Sequence, residues 1–146
     1  IDLNFMNNTL TQKIGAKLMI EDLAALNKNW GAFQSQKAAT DTEGLYIIGC
    51  RGGNVTPLEE LYNIDLHAFL DAMKDKFDYI LIEGASLNSY ADSREIARYV
   101  DGIFTVFSAD TSIGQMDRES LDFVAEHKSK NFGVILNKIF TDNIGF

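Results

Sequence analysis

"GIFTVFSADTSIGQMDRESLDFVAEHKSKNFGVILN", residues 102–137, decides how this chain folds. Residues 102–108 are an apolar run rich in β-branched and aromatic side chains, the signature of a buried strand. Ser112 to about Lys128 carries a helical pattern, and Phe132 to Leu136 is apolar and extended again. Two strands separated by a helix of that length cannot close as a hairpin. A crossover of that length favours a second strand parallel to the first.

The same alternation continues upstream. Phe77 to Glu83, "FDYILIE", predicts a buried strand ending on an acid, and Ser89 to Val100 predicts a helix with Ile96, Ala97 and Val100 inward. Leu66, Phe69, Leu70 and Met73 recur at helical spacing, as in an amphipathic helix packed on a sheet. Before it, Thr56 is a fair N-cap and Pro57 suits a first helical turn, where its missing N–H has no partner to lose. Leu45-Tyr46-Ile47-Ile48 predicts a short strand closed by Gly49-Cys50-Arg51-Gly52-Gly53. Leu18 to Asn27 predicts a helix, 29–43 a polar loop, and Thr9 to Lys13 a helical turn after an opening strand tail at 1–5. The fold class is therefore α/β, with a mostly parallel sheet and helices on both faces, in one domain over 1–146.

Composition bounds the partners. The 146 residues carry a formal charge of −8, and the pI is near 4.6. Such an acidic surface disfavours nucleic acid, whose binding needs Lys and Arg on phosphates, and disfavours adhesion to an anionic membrane. Cys50 is the only cysteine, so no intrachain disulfide forms and a reducing compartment is expected. No apolar run reaches the ~18 residues that a spanning helix needs.

A parallel sheet binds ligands outside the carboxyl ends of its strands. The residues expected there are Asp2 and Asn4, Gly49 to Gly53, Glu83, Ser108 to Asp110, and Asn137. Asp2 and Glu83 carry the most chemistry. Mg²⁺ takes one or two protein carboxylates and fills its remaining positions with water and phosphate. Either acid can instead cap the segment that follows it. The Gly49–Gly53 cluster reads either as an anion cradle aided by Arg51 or as a tight turn into the Pro57 helix. The phosphate-loop pattern G-x-x-x-x-G-K-[ST] does not occur in these residues. His67 and His127 lack a second ligand at metal spacing, and Trp30 reads as a core lid or a partner contact, with the core favoured.

Several stretches together resemble one family. "IDLNFMNNTLTQKIG" at 1–15 is similar to the second Walker motif of the bacterial tyrosine kinases that govern exopolysaccharide and capsule export. That motif runs from an apolar strand through Asp-x-Asp-x-Arg and Pro-x-Leu to an apolar-Gly pair. Asp2 matches the first Asp, Leu10 the Leu, and Ile14-Gly15 the closing pair. "TPLEEL" at 56–61 resembles Asn-Pro-x-Glu-Leu-Leu. "FDYILIEGASLNSYADS" at 77–93 resembles the Walker B strand and loop, with Asp92 near the family's later Asp, a position that a helix N-cap also explains. "VDGIFTVFSADTS" and "GVILNK" resemble the next two strands. The family's Asn at the end of the last one, here Asn137, contacts adenine in related ATPases. In this chain Asn4, Met6 and Asn8 stand where the second Asp, the Arg and the Pro would be, and Glu83 replaces the Walker B Asp. The tyrosines at 46, 62, 79, 90 and 99 lie inside the fold rather than in a C-terminal tail.

The resemblance implies an ATPase and tyrosine-kinase-like cytoplasmic domain in exopolysaccharide, capsule or lipopolysaccharide biosynthesis and export. Catalysis is expected to be weak or lost, leaving a regulatory or assembly role. The domain would sit at the cytoplasmic face of the inner membrane, tethered by a separate upstream chain-length-determinant region, with polymerase and export proteins or further copies as partners. ATP and Mg²⁺ would need a Walker A loop upstream of Ile1. Asp2 and Glu83 would then be the metal-side and catalytic carboxylates, with Asn137 and Asp92 on the nucleotide. A non-catalytic interaction module on the same fold, and a chromosome-partition or septum-site ATPase, are the rival readings.

Overall fold

The computed structural model describes residues 1–30, 33, 38–62 and 64–139. In the 102–137 stretch the apolar runs extend as β1 (Ile103–Ser108) and β2 (Asn131–Asn137), joined by a helix over Gln115–Glu126. The strands pair in parallel, from Phe104 opposite Gly133 to Ser108 opposite Asn137, with an irregularity between Ile103 and Phe104. The parallel α/β expectation is borne out. Glycine at 102 lets the Phe132 ring lie against the backbone, since a Cβ there would come 2.1 Å from that ring.

The connecting helix starts at Gln115 rather than Ser112, and its first turn explains why. The Asp117 carboxylate accepts the Gly114 N–H (2.6 Å) and the Asn88 side-chain amide (2.6 Å). Asn88 in turn accepts the Ser120 hydroxyl (2.6 Å). An acid in the first turn also suits the positive end of the helix. Ser120, Phe123 and Val124 are buried at helical spacing, and Phe123 and Val124 pack with Ala97, Leu87 and Ile103.

The chain divides into two compact units, Ile1–Ala85 and Ser86–Phe146. Among the described residues four α-helices precede β1. They are α1 (Thr9–Ile14), α2 (Pro57–Leu61), α3 (Leu66–Lys74) and α4 (Asp92–Ile96), so the crossover helix is α5. The expected helix at 89–100 is α4 continued by a 3₁₀ turn over Ala97–Tyr99. At α2 the capping box is complete: the Thr56 hydroxyl accepts the Glu59 N–H (3.3 Å), and Glu59 accepts the Thr56 N–H (2.8 Å). Along α3 the residues Leu66, Phe69, Leu70 and Met73 are all buried, as their spacing predicts.

Trp30 is buried with its ring edge-on to Phe69 at 5.2 Å, and Phe33 meets the same ring at 5.9 Å. The core reading of Trp30 therefore holds. The rest of the expected 29–43 loop falls partly outside the described residues; Ala39 pairs antiparallel with Tyr46.

Beyond β1, which leaves Phe104 56% and Val106 60% exposed where a buried strand is expected, and 45–48, which holds only an isolated bridge at Tyr46, two further expectations change. The helix at 18–27 is a 3₁₀ helix over Ile20–Leu26. The Ile20 N–H is pinned to the Gly49 carbonyl (2.8 Å) at one end, and Asn27 (φ 45°) and Lys28 (φ 62°) turn left-handed at the other. A short segment clamped at both ends takes the tighter winding. The other change is at 77–83. This apolar run reads as a strand covered on both faces, yet Tyr79 is 88% and Leu81 76% exposed. Its pairing is a single parallel bridge, Asp2 with Glu83, with Leu3 N–H to Glu83 O and Glu83 N–H to Ile1 O both at 2.9 Å. An apolar run signals burial only when a neighbour is there to cover it. No helix among the described residues is long and apolar enough to cross a membrane.

Candidate functional site

The bridge between Asp2 and Glu83 sets their side chains side by side on adjacent extended segments. Their environments differ sharply. Asp2 is fully buried, whereas Glu83 is exposed. One Asp2 oxygen accepts the Asn4 N–H (3.0 Å), and the other accepts both the N–H (3.0 Å) and the hydroxyl (2.6 Å) of Thr11. A buried carboxylate is tolerable only with such partners. Desolvation, and then the charge of Asp2, hold the Glu83 carboxyl above the usual range, while hydrogen bonding from the Asn4 side chain pulls it down. Asn4, which stands at the place of an acid in the resembled motif, thus offers Glu83 an amide instead of a third negative charge.

Thr11 reaches further. It sits on α1, and its hydroxyl oxygen accepts the Cys50 N–H at 3.0 Å. Asn8, just before α1, donates its side-chain amide to the Cys50 carbonyl (2.9 Å). The 49–53 turn is thereby fastened to the opening segment on both sides of Cys50. Gly49 lies under α1, where a Cβ would come 2.6 Å from the Thr11 methyl and 2.9 Å from Ala16 Cβ.

The turn's own donors are committed. Gly49 N–H goes to Leu18 O (2.9 Å), Gly53 N–H to Phe5 O (3.0 Å), and Arg51 N–H to the Glu21 carboxylate (2.8 Å). The Arg51 guanidinium pairs with Asp22 and lies 3.6 Å from Glu21. With its N–H groups and its cation occupied, the segment is a tight turn and not an anion cradle.

Cys50 is fully buried, and burial first and the Asp2 charge next push its thiol up to about 12. The thiolate is the reactive form, so at neutral pH Cys50 should be inert in the native state. The expected result is that a chromogenic disulfide reagent labels it only as fast as the chain unfolds. Prompt stoichiometric labelling under native conditions would contradict this burial.

Asn137 and Asp92 belong to the second unit. Asn137 ends β2, exposed; its side-chain oxygen accepts the Lys138 N–H (2.8 Å) and its carbonyl accepts Ala109 N–H (2.8 Å). Beside it, the Lys138 ammonium meets Asp110 at 3.2 Å. A hydrogen bond from Ser108, then the Lys138 contacts, hold Asp110 below the usual carboxylate range. Polar side chains thus gather at the carboxyl ends of β1 and β2. Asp92 occupies the first turn of α4, and Ala91 takes the N-cap position expected for it.

His67 pairs with Asp71 on an exposed face of α3 at 3.0 Å, and the His127 ring packs against Phe123 at 4.3 Å. Among the described residues no group of three or more His, Cys, Asp and Glu side chains is placed to hold a metal. Of the two acids only Glu83 presents an open hard oxygen donor, and Mg²⁺ takes one or two carboxylates from protein when phosphate supplies others. That donor set fits the ion unequally. The Glu83 carboxylate is open to solvent, whereas the buried Asp2 spends both oxygens on internal donors. The sequence reading missed Thr11 altogether. The available signal was a hydroxyl residue in the first turns of the helix that follows an acid-ended strand.

No protein-family model and no curated protein sequence matches this chain. Solved structures do match. The VpsO kinase domain superposes over 95% of this chain with a TM-score of 0.71 at 20% identity, and this chain covers 68% of it. The chimerical protein CapA2B2 superposes over 94% with a TM-score of 0.76 at 15% identity, and here the coverage is 61% of that chain. The chain thus has the fold of these proteins along nearly its whole described length.

Proposed function

We propose that this chain is a kinase-like ATPase domain of a protein for polysaccharide biosynthesis and export, acting in regulation or assembly with weak or absent catalysis. The observation that carries this is the shared fold with a kinase domain over 95% of the chain. The Asp2–Glu83 pair supports it, standing at adjacent segment ends as a Mg²⁺–nucleotide site needs. The polysaccharide is an exopolysaccharide, a capsule or a lipopolysaccharide. The partners are polymerase and export proteins or further copies, met at the cytoplasmic face of the inner membrane.

When bound, Mg²⁺ would neutralise phosphate charge in phosphoryl transfer. In the first unit Glu83 would hold it and Asp2 would add negative charge behind Glu83; for the second unit taken by itself, Asn137 and Asp92 are proposed as the residues for the nucleotide. The glycine–lysine loop that cradles a triphosphate is not part of these residues. Weak catalysis follows from the chemistry of the pair. Asn4 carries no charge, and Asp2 turns both oxygens toward internal donors.

Two measurements test the reading. Deleting the encoding segment from the chromosome should change the amount or chain length of surface polysaccharide on a gel, and an unchanged profile overturns the assignment. The full protein should show Mg²⁺-dependent ATP binding with little phosphotyrosine. Strong autophosphorylation that survives Glu83→Gln would overturn the roles given to the pair.

A further inference from the structure

We infer that the free edge of β1 pairs with the same edge of a second copy of this chain, antiparallel about a two-fold axis at Thr105. The inference names the contact used by the further copies in the proposed function, and rests on that reading. Among the described residues the sheet holds only β1 and β2, so one edge of β1 is unpaired. The N–H groups of Ile103 and Ala109 turn toward β2, reaching Lys130 O (2.7 Å) and Asn137 O (2.8 Å). Backbone groups alternate sides along a strand, so the N–H and C=O of Phe104 and Val106 face away from β2.

Three features of β1 point to a second copy. An edge strand that stays single is usually protected by charge, proline or a bulge. Residues 102–109 hold no charge and no proline, and the extra residue of the sheet irregularity, Phe132, lies in β2. On a chain of charge −8, such a neutral strip is where another copy meets least repulsion. The strip also matches itself. With Thr105 on the axis, Phe104 stands opposite Val106 of the second copy, and each such pair exchanges both N–H···O bonds. Aromatic with β-branched is a favourable cross-strand pair, and so is threonine with threonine. The third feature is Thr105, 9% exposed, whose buried hydroxyl has no hydrogen-bond partner among the described residues. Burial without a partner is costly. Across the axis Thr105 meets its own counterpart in a close, non-hydrogen-bonded pair, and the two hydroxyls satisfy each other.

The test is sedimentation of the whole chain across a concentration series. The wild type should pass from monomer to dimer. Val106→Pro removes an outward N–H, which an edge strand tolerates, and should lose the dimer. Val106→Thr keeps that N–H and should keep the dimer. A wild type that stays monomeric, leaving the edge to a strand of another polypeptide, overturns the inference and the reading of further copies; the kinase-like assignment still stands or falls on the polysaccharide profile. A dimer that survives Val106→Pro overturns this contact alone. Should Val106→Pro fail to fold, crosslinking decides. With oxidised glutathione as the oxidant, Thr105→Cys should give a disulfide-linked dimer as the glutathione disulfide is reduced. Ser108→Cys, about 20 Å from its counterpart by strand rise, should not. Equal crosslinking of the two variants, or none of Thr105→Cys, overturns the register and the inference with it.

Discussion

Asp2→Ala should lower the stability of this chain by about 3 kcal/mol or more, because it leaves three hydrogen-bond donors facing an apolar gap. Each buried donor left unsatisfied costs roughly 1–3 kcal/mol. Two of the three, the N–H and the hydroxyl of Thr11, lie in the interior; the third is the partly buried Asn4 N–H. For a chain of this length the loss corresponds to a fall in melting temperature of about 10 °C. Asp2→Asn should cost nearly as much, since the amide cannot accept at both positions and would set an NH₂ group against one of these donors. Glu83→Gln provides the contrast. Its side chain is exposed, and a surface change of this kind is usually worth about ±0.5 kcal/mol. A thermal melt in metal-free buffer checks all three. If Asp2→Ala melts with the wild type, the hydrogen bonds described here do not hold the opening segment.

Phe69→Ala should be at least as damaging. The ring is fully buried on the inner face of α3, between Trp30 and Phe33. Truncating a buried phenylalanine typically costs about 3–5 kcal/mol through lost transfer energy and the cavity left behind. The edge-on aromatic pairs add roughly 0.5–1.5 kcal/mol each to what is removed. Trp30 is the only tryptophan, so the site reports on itself. The urea midpoint should fall, and the native emission should move to the red as water reaches the indole. An unchanged midpoint with unchanged emission would show that α3 is not seated on this cluster.

The two substitutions separate two ways in which the Ile1–Ala85 unit is held together. Phe69 fills space, and its loss is felt through volume. Asp2 organises polar groups, and its loss is felt through groups stranded without partners. Only the second bears on the candidate site, because the bonds that anchor Asp2 also decide how it faces Glu83.

Much of the fold was legible in the sequence because it rests on local patterns. The spacing of Leu66, Phe69, Leu70 and Met73 fixed the buried face of α3, since helical periodicity alone brings those positions together. Thr56-Pro57 with Glu59 specified where α2 begins, because every partner of a capping box lies within one turn. The apolar–helical–apolar order of 102–137 favoured parallel pairing of β1 with β2, because a parallel pair needs a crossover of about that length.

What the tertiary structure decided lies in contacts between residues far apart in sequence. No local pattern announces that Thr11 gives its hydroxyl proton to an acid nine positions earlier and accepts from a backbone amide 39 positions later. Nor does the run "FDYILIE" say that Tyr79 and Leu81 stand exposed, because apolar character records what a strand can bury and not what comes to cover it. The same holds for the acids. The sequence alone determined that Glu83 ends an apolar run and that Asp2 lies in the alternating opening stretch at 1–5. Only the fold set them side by side, buried one, exposed the other, and so gave a matched pair of carboxylates two different environments.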